Sequence, residues 1–355
     1  MSERYDVVVL GLGPAGASAA AEAARRGCRV LALERKREAG RPVQCAEFVP
    51  SMIGMEVGNL NGSVRQRIRA MSTYIENDAP DIQDNFPGAM LDRAEFDSAL
   101  VRDAERAGAE CRFGVSVRRV ADSGAVELSA GKSIAAGVVI GADGPRSLAG
   151  RAIGQVNREV VETRQITVPL RVAHEATDIF LSADIPGGYG WLFPKGETAN
   201  LGAGVDPAHK ARLKPIVSGL HQTLMEDGRV GPRVLALTGG LIPVGGMLKP
   251  WAELDRALVL LAGDAAGLTN PVTGAGIAAA VHSGKLAGRA AAAWHAGERS
   301  AGTDYEDELE SVFKAALDRA VRRRRELAES LASGPRAARA ALRRGWIAYP
   351  EYWTS

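Results

Sequence analysis

The sequence has little cysteine: Cys28, Cys45 and Cys111 are the three in 355 residues. They lie far apart, their number is odd and no pair has a metal-type spacing, so neither a disulfide framework nor a metal site is expected, and a reducing cytoplasm is the natural compartment. No apolar run is long enough for a membrane span. The nearest, Gly276–Trp294, is interrupted by His282, Lys285 and Arg289 and reads as an Ala-rich helix of a soluble protein. No leader is expected ahead of the first strand, which begins by Tyr5. A large net charge is missing too: the formal value of +2 gives no argument for a nucleic-acid partner. There is no internal repeat and no low-complexity linker. A chain that is 46% hydrophobic and 24% charged, at a length suited to two domains, has the composition of a soluble globular protein with a large core.

The most informative stretch is Tyr5–Glu34. Val7–Leu10 is a continuous apolar run suited to a buried parallel strand, and it runs directly into Gly11-Leu12-Gly13-Pro14-Ala15-Gly16. Ala15–Arg26 reads as an alanine-rich helix able to lie close to a sheet, Gly27 ends it, and Cys28–Leu33 is a second apolar strand stopping at Glu34. This is the βαβ dinucleotide fingerprint. Gly11 makes the turn, Gly13 lets the backbone approach a pyrophosphate, Gly16 permits helix–strand contact, and Glu34 accepts from ribose hydroxyls. The helix start supplies the positive dipole end that a diphosphate needs.

Downstream, Gly40-Arg41-Pro42 marks a loop leading to Cys45-Ala46-Glu47. Met52–Met71 looks mixed and partly helical. Tyr74–Ala89, with Pro80 and Pro87, is a candidate excursion into a second domain. Asp92 is a plausible N-cap for a helix closed by Gly108, with Glu95 as its capping-box partner. Glu110–Val120, Ala125–Leu128 and Ser133–Ile140 read as an antiparallel meander returning to the core, and Asp143 as either a turn former or a residue fixing its loop. From Thr163 to Trp251 alternating β-prone segments take over, with one helix near Pro207–Glu226. Arg256–Ala262 then restores a buried strand. The expected fold is α/β: a discontinuous Rossmann-like domain over 1–162 and 252–300, with the possible excursion at 74–90, a β-sheet-rich domain over 163–251, and a helical tail over 301–355.

Three separated motifs, GLGPAG, GADGPRS and GDAAGLTNPVTGAGI, together resemble the flavoprotein hydroxylase superfamily. PVQCAE at Pro42–Glu47, LDRAEFD at Leu91–Asp97 and IPGGYGWLFPKG at Ile185–Gly196 resemble motifs of one branch of it, the geranylgeranyl reductase family, over about Tyr5–Trp294. The resemblance implies FAD as cofactor, with Ala15 and Glu34 on its adenosine half, Cys45 and Ala46 beside the isoalloxazine or its ribityl side, and Arg93 on its polar arm. It implies Asp264 on the ribityl or diphosphate hydroxyls, and Gly276 and Ile277 as backbone donors near the flavin ring. Val117 is a further candidate cofactor-binding position.

The candidate catalytic residues are Cys45, Tyr189, Trp191 and Phe193. Cys45 lies in a Gly/Pro loop, away from any obvious packing position. Tyr189, Trp191 and Phe193 alternate along one strand and share a face, which suits either a core or an aromatic wall beside the flavin.

The resemblance implies reduction of isolated C=C bonds in an apolar, prenyl-containing substrate, with aromatic faces stabilising developing cationic charge. A second dinucleotide fingerprint is missing, so NAD(P)H binding transiently, or a ferredoxin-type donor, is the expected electron source. The alternative is a flavin-dependent monooxygenase acting on a small molecule or a protein side chain. A non-enzymatic prenyl-binding protein is a third class, disfavoured because the cofactor motifs are intact.

The tail carries Arg319, Arg322–Arg325, Arg336, Arg339, Arg343 and Arg344 against Glu326 and Glu329, followed by Trp346, Tyr349, Tyr352 and Trp353. Such a segment suits peripheral contact with an anionic membrane, or an anchor whose aromatics pack back onto the core.

Overall fold

The computed structural model describes residues 3–51, 62–255, 257–332 and 335–354. The first sheet is built on the continuous apolar runs. Strand Glu3–Leu10 lies between Ser133–Gly141 and Val30–Glu34, parallel to both, and Ala257–Leu261 adds in parallel beyond Ser133–Gly141. Val7, Val8 and Val9 are 0% exposed, so both faces of the strand are covered and it shows no polar alternation. Helix α1 (Pro14–Arg25) packs on one face of this sheet.

Helix α2 (Arg93–Arg106) begins at Asp92, whose carboxylate accepts from the backbone N–H of Ala94 and Glu95 at 3.1 and 3.2 Å. The expected capping box is half formed: the Asp92 N–H donates to the Ser63 carbonyl at 2.7 Å instead of to Glu95. After α2 the chain does not enter a meander at once. Glu110–Phe113 is a parallel edge strand beside Val30–Glu34, as a strand–helix–strand crossover requires, and only Val117–Val120 and Val126–Leu128 run antiparallel back to Ser133–Gly141. Burial raises the thiols of Cys28 and Cys111, the latter to about 12, so both are inert packing groups.

The second sheet runs Ala236–Thr238, Val160–Pro169, Thr198–Val205, Gly190–Lys195, Ala176–Leu181, Ala70–Ile75 and Asp81–Gln83. The partly helical segment expected at Met52–Met71 is strand where it is described: Val64–Ile68 alternates in exposure along its length, and Ala70–Ile75 pairs in parallel with Ala176–Leu181. Residues 52–61 of that segment lie outside the described residues. Strands Phe48–Pro50, Gly88–Leu91 and Val64–Ile68 form a small third sheet. Helix α3 (Leu148–Ala152) is a short turn fixed by Asp143, whose Oδ2 accepts from the Leu148 N–H at 2.6 Å. Helix α4 (Leu213–Glu226) packs its apolar side on one face of the second sheet, leaving the other face free for the site.

Helix α5 (Ile277–His295) returns against α1. A Cβ on Gly284 would fall on the Ala15 carbonyl oxygen, and one on Gly288 would sit 2.6 Å from that of Ala19. Small residues on both helices let their backbones approach that closely. Helix α6 (Ala301–Leu309) is tied to the first sheet by the Tyr305 hydroxyl, which donates to the Leu261 carbonyl at 2.7 Å. One turn of π-helix leads into α7 (Ala315–Ala332), followed by α8 (Pro335–Arg344) and α9 (Pro350–Trp353). Among the described residues no helix is long and apolar enough to cross a membrane.

Candidate functional site

The carboxyl ends of the first sheet's strands carry the loops that make the site, the usual place for a ligand in an open α/β sheet. At the first of these ends the glycines divide their work. Gly11 has φ +91°, and a Cβ there would strike the Ala142 carbonyl; one at Gly16 would fall on the Gly11 carbonyl oxygen. Gly13 is different. A Cβ there would meet nothing within 4 Å, so its bareness keeps open the space in front of α1, whose first turn no side chain caps. Glu34 reaches the same loop, accepting from the Leu12 N–H at 2.9 Å through Oε2 and from the Lys36 N–H at 2.9 Å through Oε1.

A cavity of about 380 Å³ opens beyond this loop. Gly13, Ala15, Cys45, Ala46, Arg93, Asp264, Gly276 and Ile277 line it from the side of the first sheet, and Tyr189, Trp191 and Phe193 from the side of the second. Gly11, Gly16 and Glu34 are not among its walls. Val117 stands apart: it begins the antiparallel flap strand Val117–Val120 and is not among the cavity's walls.

Arg93 forms a two-pronged ion pair with Asp97 at 2.9 and 3.0 Å. Burial alone would weaken its proton affinity, but the Asp97 carboxylate and Cys45 beside it hold its pKa above the ordinary value, so it is a fixed cation. Asp264 accepts from the Thr269 hydroxyl at 2.6 Å. Its carboxyl is pushed up by burial, only partly offset by the Thr269 hydrogen bond and the charge of Arg93. Gly276 and Ile277, at the start of α5, line the same cavity, and no side chain caps that helix end.

The Cys45 loop is held by Glu47, the last residue of the PVQCAE motif, to which the sequence alone assigns no role. Glu47 has φ +70°, a strained conformation for a non-glycine residue, and its buried carboxylate accepts from the Arg93 N–H at 3.0 Å, Lys195 Nζ at 2.7 Å and Asn200 Nδ2 at 3.0 Å. Those bonds from α2 and the second sheet fix the turn, and the Glu47 N–H points back to Cys45 Sγ at 3.2 Å.

The aromatic side chains do share one face, and that face lines the cavity. Trp191 lies between Tyr189 and Phe193, with ring centroids 5.8 and 6.3 Å away. Tyr189 donates its hydroxyl to the Thr273 carbonyl at 2.6 Å, and burial raises its pKa, so the phenol stays neutral. Trp346, which arrives from the tail, packs on Tyr189 with ring centroids 4.9 Å apart.

That contact brings the tail back onto the core. Trp346, Tyr349 and Tyr352 are buried, while Trp353 is 57% exposed beneath the Arg319 guanidinium. Arg324 pairs with Asp206, Arg325 with Glu159, Arg339 with Asp78 and Arg343 with Asp81. These charges serve the protein's own surface, which accords with the anchoring alternative.

The residues present fit a flavin dinucleotide on structural grounds: an open cradle at Gly13 for a diphosphate, a carboxylate at Glu34 for ribose hydroxyls, and polar groups at Arg93 and Asp264 leading into a cavity walled by aromatics.

Comparisons with known proteins agree. Residues 160–242 match the family model of the geranylgeranyl reductase catalytic domain, and residues 6–165 that of lycopene cyclase protein. The digeranylgeranylglycerophospholipid reductase of Methanosarcina acetivorans is 33% identical, over 82% of this chain and 76% of that protein. A geranylgeranyl bacteriochlorophyll reductase-like protein from Thermoplasma acidophilum superposes with a TM-score of 0.80 at 25% identity, covering 99% of this chain and 98% of its own. PqsL from Pseudomonas aeruginosa, described as a probable FAD-dependent monooxygenase, shares the fold at a TM-score of 0.71 and 18% identity, over 96% of this chain and 99% of its own.

Proposed function

The chain belongs to the geranylgeranyl reductase family, and from that premise we propose that it binds FAD and reduces C=C bonds in the prenyl chain of a lipid. When bound and reduced, FAD would supply hydride to one alkene carbon, and a proton would reach the other. Everything else falls to the chain's own residues. Gly13 and the start of α1 receive the diphosphate, Glu34 the ribose, and Arg93 and Asp264 the polar arm, while the N–H groups of Gly276 and Ile277 stabilise negative charge on the ring.

An isolated alkene is a poor hydride acceptor, so charge stabilisation at the other carbon matters. The faces of Tyr189 and Trp191 are neutral and electron-rich, placed to stabilise cationic character there while Phe193 and Phe48 keep water out. Cys45, on the opposing loop, would bear on where along the chain reduction occurs.

The observation that carries the reading is a single cavity walled on one side by the dinucleotide cradle and on the other by an aromatic strand. Electrons would come from NAD(P)H bound transiently or from a ferredoxin-type donor. The test is anaerobic turnover of chemically reduced enzyme against prenyl lipids and quinones, with aerobic controls. Saturated product without oxygen supports the reading; product formed only with stoichiometric oxygen consumption replaces it with a monooxygenase.

A further inference from the structure

A second cavity of about 330 Å³ lies behind the first, between the second sheet and the tail, with Val244, Leu327, Leu331 and Leu342 among its walls. Tyr189 and Trp346 line both cavities, and their rings, packed at a tilt of 59°, are the partition between them. The two leaves of this partition differ. Tyr189 is pinned by its hydrogen bond to the Thr273 carbonyl. Trp346 is 3% exposed, yet its indole N–H has no hydrogen-bond partner among the described residues, so packing alone holds it in place. An unmet buried donor makes that position costly to keep, and a departure of the ring comparatively easy.

The first cavity has to hold the cofactor's ring as well as the substrate, because Gly13, Asp264 and Gly276 wall the same volume as the aromatic strand. Its 380 Å³ is near the lower end of the range for ligand sites. A long prenyl chain needs more length than remains, and the apolar space next in line lies past Trp346.

We propose that Trp346 sets the length of prenyl chain the enzyme accepts: packed against Tyr189 it ends the cavity, and a longer chain is admitted only where that ring gives way to the space behind. This rests on the prenyl-reductase reading above. The experiment compares geranyl, farnesyl and geranylgeranyl substrates with the wild type, Trp346→Ala, Trp346→Phe, and Trp346→Ala combined with Ala328→Phe. Ala328 is exposed on α7 at the edge of the second cavity, so a phenylalanine there fills the space without touching the site. FAD content and melting temperature are measured for each.

Trp346→Ala should shift kcat/KM towards the longest chain by about tenfold relative to the shortest. Trp346→Phe should shift it less, and Ala328→Phe should cancel the gain. An unchanged chain-length profile in a Trp346 variant that keeps FAD overturns the proposal, as does a gain that Ala328→Phe leaves intact. If the wild type reduces none of the three, the reductase reading fails on its own. The partition is then judged by the binding of saturated alcohols of matching lengths, read by flavin fluorescence, where the same two patterns support or overturn it. If Trp346→Ala does not fold, Trp346→Phe and Ala328→Phe in the wild type, expected to lower long-chain acceptance, decide the matter.

Discussion

Trp191 and Cys45 stand on opposite walls of the cavity and are joined through one side chain. The Trp191 indole N–H donates to Gln165 Oε1 at 3.1 Å, and Gln165 Nε2 donates to the Cys45 carbonyl at 3.2 Å. Gln165 is itself buried on strand Val160–Pro169, so the aromatic wall and the cysteine loop are held at a fixed separation by a carboxamide that nothing else can replace.

Gln165→Leu keeps the volume and removes both bonds. Each buried group left unmet costs about 1–3 kcal/mol. The expected outcome is a lower melting temperature together with a fall in kcat at unchanged FAD content, because the groups affected face the substrate side. Full activity in this variant would show that the spacing of the two walls does not matter.

Gly13→Val separates cofactor binding from folding. A Cβ at Gly13 meets no heavy atom within 4 Å, so the apo fold should be retained, with wild-type far-ultraviolet circular dichroism. The added methyls occupy the space before α1, so the purified variant should be colourless. A yellow variant with a stoichiometric flavin spectrum would remove the diphosphate assignment.

How much of this was legible in the sequence depends on the range over which each feature is encoded. The Gly11–Glu34 unit is local, every step follows from neighbours in the chain, and the same holds for the period-two placement of Tyr189, Trp191 and Phe193 on one face. Val117, which no local motif marks, is not among the cavity's walls. The parallel pairing of Glu110–Phe113 is not legible in the sequence, because strand propensity says nothing about the partner. Trp346, Gln165 and Glu47 act through contacts far away in sequence, and no periodicity marks them. Nor does composition tell which arginine of a basic run turns inwards.

Asp264 offers a trade between stability and binding. Burial raises its pKa, so the folded apo chain binds its proton more tightly than the unfolded chain, and the stability it contributes is present at low pH and lost as pH rises through the raised value. At neutral pH the buried carboxylate is therefore a liability without the cofactor. Asp264→Asn should melt about 2 °C higher than the wild type as apoprotein near pH 7, with the gap closing in acid, while binding FAD more weakly. A lower melting temperature with unchanged FAD affinity would make Asp264 purely structural.

Cys45→Ser tests the loop held by Glu47. Serine keeps the size and the acceptor for the Glu47 N–H, so FAD content should stay near the wild-type level. The distribution of partly and fully reduced products, or their rate of formation, should change, since the side chain lines the cavity opposite the aromatic strand. Identical product patterns would leave the cysteine a packing residue.

Arg323 is the buried member of the tail's arginine run, 0% exposed. Its Nε donates to the Tyr352 carbonyl at 3.0 Å, Nη2 to the Thr354 carbonyl, and Nη1 to Glu326 at 2.7 Å, so one planar fork ties the end of the chain to α7. Lysine cannot make that span, and methionine leaves the carbonyl of buried Tyr352 unmet at about 1–3 kcal/mol and releases the Thr354 carbonyl to solvent. Because Trp346 lies on the segment so clamped, Arg323→Met should loosen it. Amide hydrogen exchange over 346–354 should accelerate, with exchange in the first sheet unchanged and FAD retained. Arg323→Lys should fall between the two. Equal protection of the tail in all three proteins would mean that the aromatic contacts of Trp346, Tyr349 and Tyr352 hold it without the arginine.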